Sequence, residues 1–210
     1  SNTENISIGL IPSRRQVEYN GGYVNNWTTQ QFADYVRART TQVILQRDHG
    51  GPLQGDMEDD GRESFLHDAS SSFDLIHIDP WKKFKNLEAA AANTIEMIEY
   101  ISSQNPGCRY EVGTEEAIRR YESDELDNFL KILKENLEDK SWEKIEYAVI
   151  QAGTGLLGTK NIGVFDEARC SAMIEVCAKY DLKSKEHNGD FLSRSGIKKR
   201  FALGLDGLNI

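Results

Sequence analysis

Short apolar or β-branched runs recur along the chain, and each stops abruptly at a cluster of polar residues. Val43-Ile44-Leu45-Gln46-Arg47 runs into Asp48-His49, the stretch from Phe73 to Ile78 carries His77 and stops at Asp79-Pro80, and Tyr110-Glu111-Val112 leads to Gly113-Thr114-Glu115. Tyr147 to Ile150 leads to Gln151-Ala152-Gly153, and Asp181 to Lys185 leads to Glu186-His187-Asn188-Gly189. The endpoints 49, 79, 115, 151 and 187 are 30, 36, 36 and 36 residues apart. Between the runs, Thr29 to Arg39, Leu87 to Ser102, Glu125 to Leu137 and Asp166 to Tyr180 have helical patterning, with Thr28 placed to cap the first. In the second of these, four consecutive alanines precede Ile95, Ile98 and Ile101, a helix-favouring composition with an apolar face at three-residue spacing.

Strand and helix therefore alternate, which implies parallel strands joined by helical crossovers. An open doubly wound sheet and a closed (β/α)8 barrel both satisfy this, and the nearly constant repeat favours the TIM barrel. With a first strand at Ile6 to Pro12 and a last one beginning near Leu205, the pattern holds seven strands. A barrel needs eight, and about 250 residues are typical. The expectation is a single TIM-barrel domain over 1–210, truncated after about seven strands, with the rest supplied by a longer protein or a partner chain.

Composition adds exclusions. The chain has 210 residues, and 25 Lys plus Arg against 34 Asp plus Glu give a net charge of −9, which argues against a nucleic-acid partner. The one basic cluster, Lys198-Lys199-Arg200, reads as a solvated helix face. No apolar run approaches the roughly 20 residues of a membrane span, and no signal-peptide pattern opens the chain, so a cytoplasmic protein is expected. Cys108, Cys170 and Cys177 form no CxxC pair and read as reduced, buried thiols.

In a parallel α/β barrel the loops at the C-terminal strand ends form the functional mouth, which is where the polar clusters fall. His49 and His187 are the candidate metal ligands, since neutral imidazole suits zinc or a similar divalent ion, and Glu186 or Glu111 could add an oxygen. Asp48, beside His49, is the candidate acid/base for enolisation, in which a divalent ion polarises a carbonyl while the carboxylate moves a proton. Glu111 and Asp79 are further candidate catalytic carboxylates, with His77 and Asp79 as an orienting pair, while His67 reads as a surface residue. Arg14, Gln16 and Asn20 in the first loop, together with Glu115, Gln151 and Gly153, are candidate contacts to sugar hydroxyls or phosphate. Gly153-Thr154-Gly155-Leu156-Leu157-Gly158 satisfies GxGxxG, but the next clear helix starts only near Asp166, which weakens a dinucleotide reading and leaves a glycine-rich anion loop open.

Gln16-Val17-Glu18-Tyr19-Asn20-Gly21-Gly22-Tyr23, Asp48-His49-Gly50-Gly51-Pro52, Ile76-His77-Ile78-Asp79, Tyr110-Glu111-Val112-Gly113-Thr114-Glu115 and Leu208-Asn209-Ile210 together resemble the D-tagatose-bisphosphate aldolase subunit family usually called non-catalytic. The resemblance spans nearly the whole chain and implies a TIM barrel that continues past residue 210. Related class II aldolases carry an Asp-His pair after an early strand, the Asp for proton transfer and the His on zinc. Asp48 and His49 resemble that pair, and His187 a later zinc ligand, whereas Asn209 stands where a ligand would be wanted. Some similar proteins are thought to be sugar epimerases. The leading reading is a metal-dependent aldolase-like or epimerase-like protein acting on a phosphorylated ketose or related sugar. The rivals are a non-catalytic subunit that stabilises an aldolase catalytic partner, a homo-oligomer being equally open, and a nucleotide-binding oxidoreductase.

Overall fold

In the computed structural model, residues 7–55, 58–114 and 119–210 are described, so Glu115 and Ile6 lie outside the description. Among the described residues, seven strands of one sheet alternate with helices, giving the (β/α)8-barrel type of fold that the spacing predicts, with seven of its strands. The chain divides into two compact units, residues 1–78 with 97–109 and residues 79–96 with 110–210.

The first unit holds β1 (Ile8–Leu10), β2 (Val43–Gly50) and β3 (Leu75–Ile78), paired in parallel in that order. Helix α1 (Thr29–Arg37) crosses from β1 to β2, and α2 (Arg62–Ser70) from β2 to β3. Thr28 caps α1 as expected: its side chain accepts from the Gln31 N–H, and the Gln31 side chain accepts from the Thr28 N–H, closing a capping box. Ala33 and Val36 on α1 bury against Leu45 and Phe73, with Phe32 and Val43 packed at the rim.

Charge also enters this interior. Arg47 on β2 is fully buried, and its guanidinium is saturated. It donates to both Asp68 oxygens at 2.7 to 3.1 Å, to the Pro12 and Val17 carbonyls at 3.1 and 3.2 Å, to Thr29 Oγ1 at 3.0 Å and to Glu18 at 3.4 Å. Asp68 is what α2 contributes. That helix is weakly amphipathic and buries Ser64 and Asp68 beside Phe65, so hydrophobic periodicity does not reveal it. His67, on its outer side, is exposed as expected.

The second unit holds β4 (Arg109–Gly113, from Tyr110 on), β5 (Ile145–Ile150), β8 (Lys183–Glu186) and β9 (Gly207–Leu208), again parallel and adjacent in that order. Helix α3 (Leu87–Gln104) has residues in both units. Helices α4 (Ser123–Asn136), α5 (Asp139–Trp142), α6 (Glu167–Lys179) and α7 (Arg194–Ala202) complete the alternation, and a hairpin of β6 (Leu156–Leu157) and β7 (Lys160–Asn161) interrupts the connection from β5 to α6. Trp81 anchors one side of the core, its ring 4.8 Å from that of Tyr121 and 5.4 Å from that of Phe129, with Nε1 donating to the Gly113 carbonyl at 2.6 Å. The cysteines are buried and free, and burial pushes the Cys170 thiol up to about 11 and that of Cys177 to about 12.

The basic cluster departs from expectation. Lys198 and Lys199 lie on α7 as predicted, but Arg200 is buried and ion-paired to Glu186, its guanidinium over the Phe165 ring at 4.4 Å. Three adjacent basic residues look alike in sequence, while on a helix they point about 100° apart, and one of them faces the sheet.

Burial raises the Asp68 carboxyl to about 6, against the opposing pull of Arg47. An acid whose folded pKa lies above its unfolded value costs stability as pH rises from the unfolded value to the folded one, and no more above that. Arg47→Met removes the pull and leaves Asp68 and Glu18 without their shared cation. A loss of about 3–5 kcal/mol is expected at pH 7.5, narrowing as the pH falls toward about 6, because Asp68 without Arg47 takes up its proton at a higher pH than in the wild type, and narrowing no further once both proteins are protonated there. Chemical denaturation of both proteins at pH 7.5 and pH 5 checks the size and the trend.

Candidate metal centre

Asp48 and His49 are consecutive in β2, where regular alternation would send their side chains to opposite faces. The backbone breaks that alternation. The register with β3 shifts between Arg47 and Gly50, and His49 has φ of 47°, in the left-handed region. Such a bulge re-aims side chains at a strand end. His49 Nε2 consequently lies 3.8 Å from Asp48 Oδ1, and the His49 ring centroid lies 5.1 Å from that of His77 on β3. Gly50 permits the turn, because a Cβ there would collide with Phe65 and sit 2.9 Å from the His77 carbonyl.

Asp48, His49 and His77 each offer one ligand atom, all within 4.8 Å of one another. Two ligand atoms on one tetrahedral zinc-like ion lie roughly 3.3 Å apart, given bonds of about 2.0 Å, so small side-chain rotations suffice to close the set. Two imidazole nitrogens and a carboxylate oxygen also match the donor chemistry of such an ion. His77 is buried whereas Asp48 and His49 are partly exposed, so the group opens on one side. The backbone beneath it is fixed: the Asp48 N–H donates to the Pro12 carbonyl at 3.2 Å, and Asp48 bridges Ser13.

The second unit brings together a different set. Glu111 on β4 is fully buried, with one carboxylate oxygen 2.7 Å from Lys185 Nζ and the other 2.6 Å from His187 Nε2. Lys185 and His187 share one face of the strand, and Glu186 between them turns the other way. Glu186 accepts from Arg200 and from the Ala152 N–H at 3.2 Å, so its carboxylate serves the sheet-to-helix contact. Asp79 accepts from the Trp81 N–H at 3.0 Å, capping the turn after β3.

The candidate sugar contacts are mostly engaged elsewhere. Arg14 pairs with Glu18 and with Asp59, and the Gln16 side chain accepts from the Ser13 N–H at 2.7 Å. Asn20 is exposed, in a left-handed conformation within a 3-10 turn. Gln151 is buried as a clasp, accepting from the Tyr121 N–H at 2.8 Å and donating to the Arg119 carbonyl at 3.2 Å. Gly153 has φ of 94°, and a Cβ there would collide with the Val164 carbonyl, so this glycine lets the loop fold back on itself. The chain then enters the β6–β7 hairpin, not a helix, in agreement with the weak dinucleotide reading. Sequence reasoning misses Lys185. Its signal there is its place two residues before His187, on the same strand face.

No family model and no curated protein matches this sequence. Solved structures share its fold at low identity. A probable tagatose 6 phosphate kinase from Sinorhizobium meliloti 1021 is 17% identical with a TM-score of 0.79, over 98% of this chain and 58% of that one. The YdjI aldolase from Escherichia coli K12 is 14% identical with a TM-score of 0.69, over 97% of this chain and 66% of that one. A putative fructose-1,6-biphosphate aldolase from Coccidioides immitis is 16% identical with a TM-score of 0.64, over 97% of this chain and 75% of that one. The chain thus spans less than two thirds of the length of the first two. Among the described residues, no helix is long and apolar enough to cross a membrane.

The left-handed backbone at His49 has a measurable signature. A residue with a Cβ pays roughly 1–2 kcal/mol for that conformation and glycine does not. His49→Gly is therefore expected to be about 1 kcal/mol more stable than His49→Ala, although both remove the same imidazole. Equal stability in urea denaturation would mean that the bulge relaxes without cost.

Proposed function

We propose that this chain forms part of a metal-dependent enolising protein that acts on a phosphorylated ketose or a related sugar, as an aldolase-like carbon–carbon lyase or as an epimerase. The observation that carries the reading is the convergence of Asp48, His49 and His77, achieved by a backbone bulge that a purely structural strand end does not require. His49 and His77 are the residues to hold a divalent ion, of which zinc suits the donors best. When bound, such an ion supplies the Lewis acidity that polarises a carbonyl and stabilises an enediolate. Asp48 contributes the proton step: its partly exposed carboxylate stands beside the histidines and takes the proton from the adjacent carbon or hydroxyl. The structures that share this fold, among them a probable tagatose 6 phosphate kinase and two proteins named as aldolases, support a sugar or sugar-phosphate substrate.

The second reading, a subunit that assists a catalytic aldolase partner, is favoured by the first loop. Arg14 and Gln16 there are committed to internal bonds. Solvent deuterium exchange into dihydroxyacetone phosphate, followed by NMR with the complete gene product, separates the two readings. Exchange that requires added zinc is expected, falling at least 100-fold in Asp48→Asn, the scale of a lost general base. Exchange indifferent to both zinc and Asp48 would remove the enolising role and leave the assisting one.

A metal held by two histidines also predicts that His49→Ala and His77→Ala each weaken zinc binding at least 10-fold in equilibrium dialysis, with secondary structure retained. Unchanged affinity in both variants would sink the assignment.

A further inference from the structure

Glu111, Lys185 and His187 form a hydrogen-bonded chain within the second unit to which the proposed enolisation assigns no task. Glu111 and His187 are 0% and 4% exposed, so their bonds are made away from bulk water. An ammonium group only donates, so Lys185 uses one oxygen of the Glu111 carboxylate as its acceptor, at 2.7 Å. The other oxygen is also an acceptor only, and the atom facing it at 2.6 Å is His187 Nε2. That contact is a hydrogen bond only if Nε2 carries the hydrogen, and a neutral imidazole protonated at Nε2 has its lone pair on Nδ1. The backbone is held as well, since Thr154 Oγ1 donates to the His187 carbonyl at 2.8 Å.

We infer that Glu111 and Lys185 are positioning residues that hold His187 in its Nε2–H tautomer, so that Nδ1 is the atom this histidine offers to a divalent cation. Glu111 then acts through His187, unlike the catalytic carboxylate expected from the sequence. Lys185 is the less obvious member. By claiming one carboxylate oxygen it fixes which way round any amide replacing that carboxylate must sit. The cation step rests on the metal reading of the protein; the tautomer does not.

That asymmetry makes the inference testable without turnover. In Glu111→Gln the Lys185 ammonium must take the amide oxygen, which turns the amide NH2 toward His187. Nε2 must then accept, and the proton moves to Nδ1. In the double variant Glu111→Gln with Lys185→Met the amide is free to turn its oxygen back to His187. Long-range proton–nitrogen NMR on 15N-labelled, metal-free protein at pH 8, with His187 assigned through His187→Gln, reads the tautomer directly. The expected results are a pyridine-like Nδ1 in the wild type, a pyrrole-like Nδ1 in Glu111→Gln, and a return to the wild-type pattern in the double variant. Zinc affinity should fall 10- to 100-fold in Glu111→Gln and recover in the double variant, the size of effect known for groups that orient ligating histidines. A misfolded Glu111→Gln would lose dispersion throughout its spectrum and gain nothing from the second substitution. A wild-type Nδ1–H tautomer, or a tautomer unchanged in Glu111→Gln, would overturn the positioning role. A tautomer that swaps as expected while zinc affinity stays constant in these variants would overturn the cation step alone. Failure of the metal reading itself shows separately, in His49→Ala and His77→Ala.

Discussion

The candidate metal centre depends on one buried guanidinium. Arg47 saturates its donors on α2, on the start of α1 and on two carbonyls of the first loop, and the next residues in the chain are Asp48 and His49. A buried charge without its partners costs several kcal/mol, so the elements around Arg47 have little freedom to drift. Glu18 shows how strongly they are held: it keeps φ of 110°, unusual for a residue with a side chain, while its carboxylate accepts from Arg14, Thr29, Ser64 and Arg47. The same interactions that fix the first loop therefore fix the base of the strand end from which Asp48 and His49 project.

The second unit repeats the device with the charges exchanged. Glu186, like Arg47, is a buried charged residue turned toward the helix layer, and Arg200 on α7 is its counterion. His187 comes directly after Glu186, as Asp48 comes directly after Arg47. Strand alternation explains the pairing, because a residue anchored on one face presents its neighbour on the other. At the end of β2 alternation alone would present only Asp48, and the left-handed turn at His49 brings in the second group.

Much of the fold was legible because it rests on period and spacing. The strands expected to end at 49, 79, 115, 151 and 187 end at Gly50, Ile78, Gly113, Ile150 and Glu186, and the helices α1, α3, α4 and α6 lie within a few residues of where the pattern places them. Helices α2 and α7 were less legible, since they dock through Asp68 and Arg200, and a charge that faces inward reads in sequence as a charge that faces out. The site divides along the same line. Asp48 and His49 were visible as an unusual pair at a strand end, but the membership of His77 depends on a bulge that no residue pattern announces. Arg14, Gln16, Gln151 and Glu186 have the residue types of a sugar or metal site, yet their polar atoms go to the backbone or to internal ion pairs. Residue type establishes what a group can bind, and only the fold determines whether a closer partner takes it first.

That competition bears on how a substrate would be oriented. An arginine committed to Glu18 and Asp59 must break partly buried ion pairs before it can grip a phosphate, and the cost of leaving their carboxylates unpaired opposes the gain. Asp48 and His49 are placed differently: both are partly exposed, and His77 stands behind them. The anionic substrate of the proposed function would meet an unfavourable general field at a chain of net charge −9, which the proposed divalent cation would reverse over a few ångströms. Under the proposed function, orienting the substrate would therefore fall to the ion that Asp48, His49 and His77 would hold and not to Arg14, which is already engaged by Glu18 and Asp59.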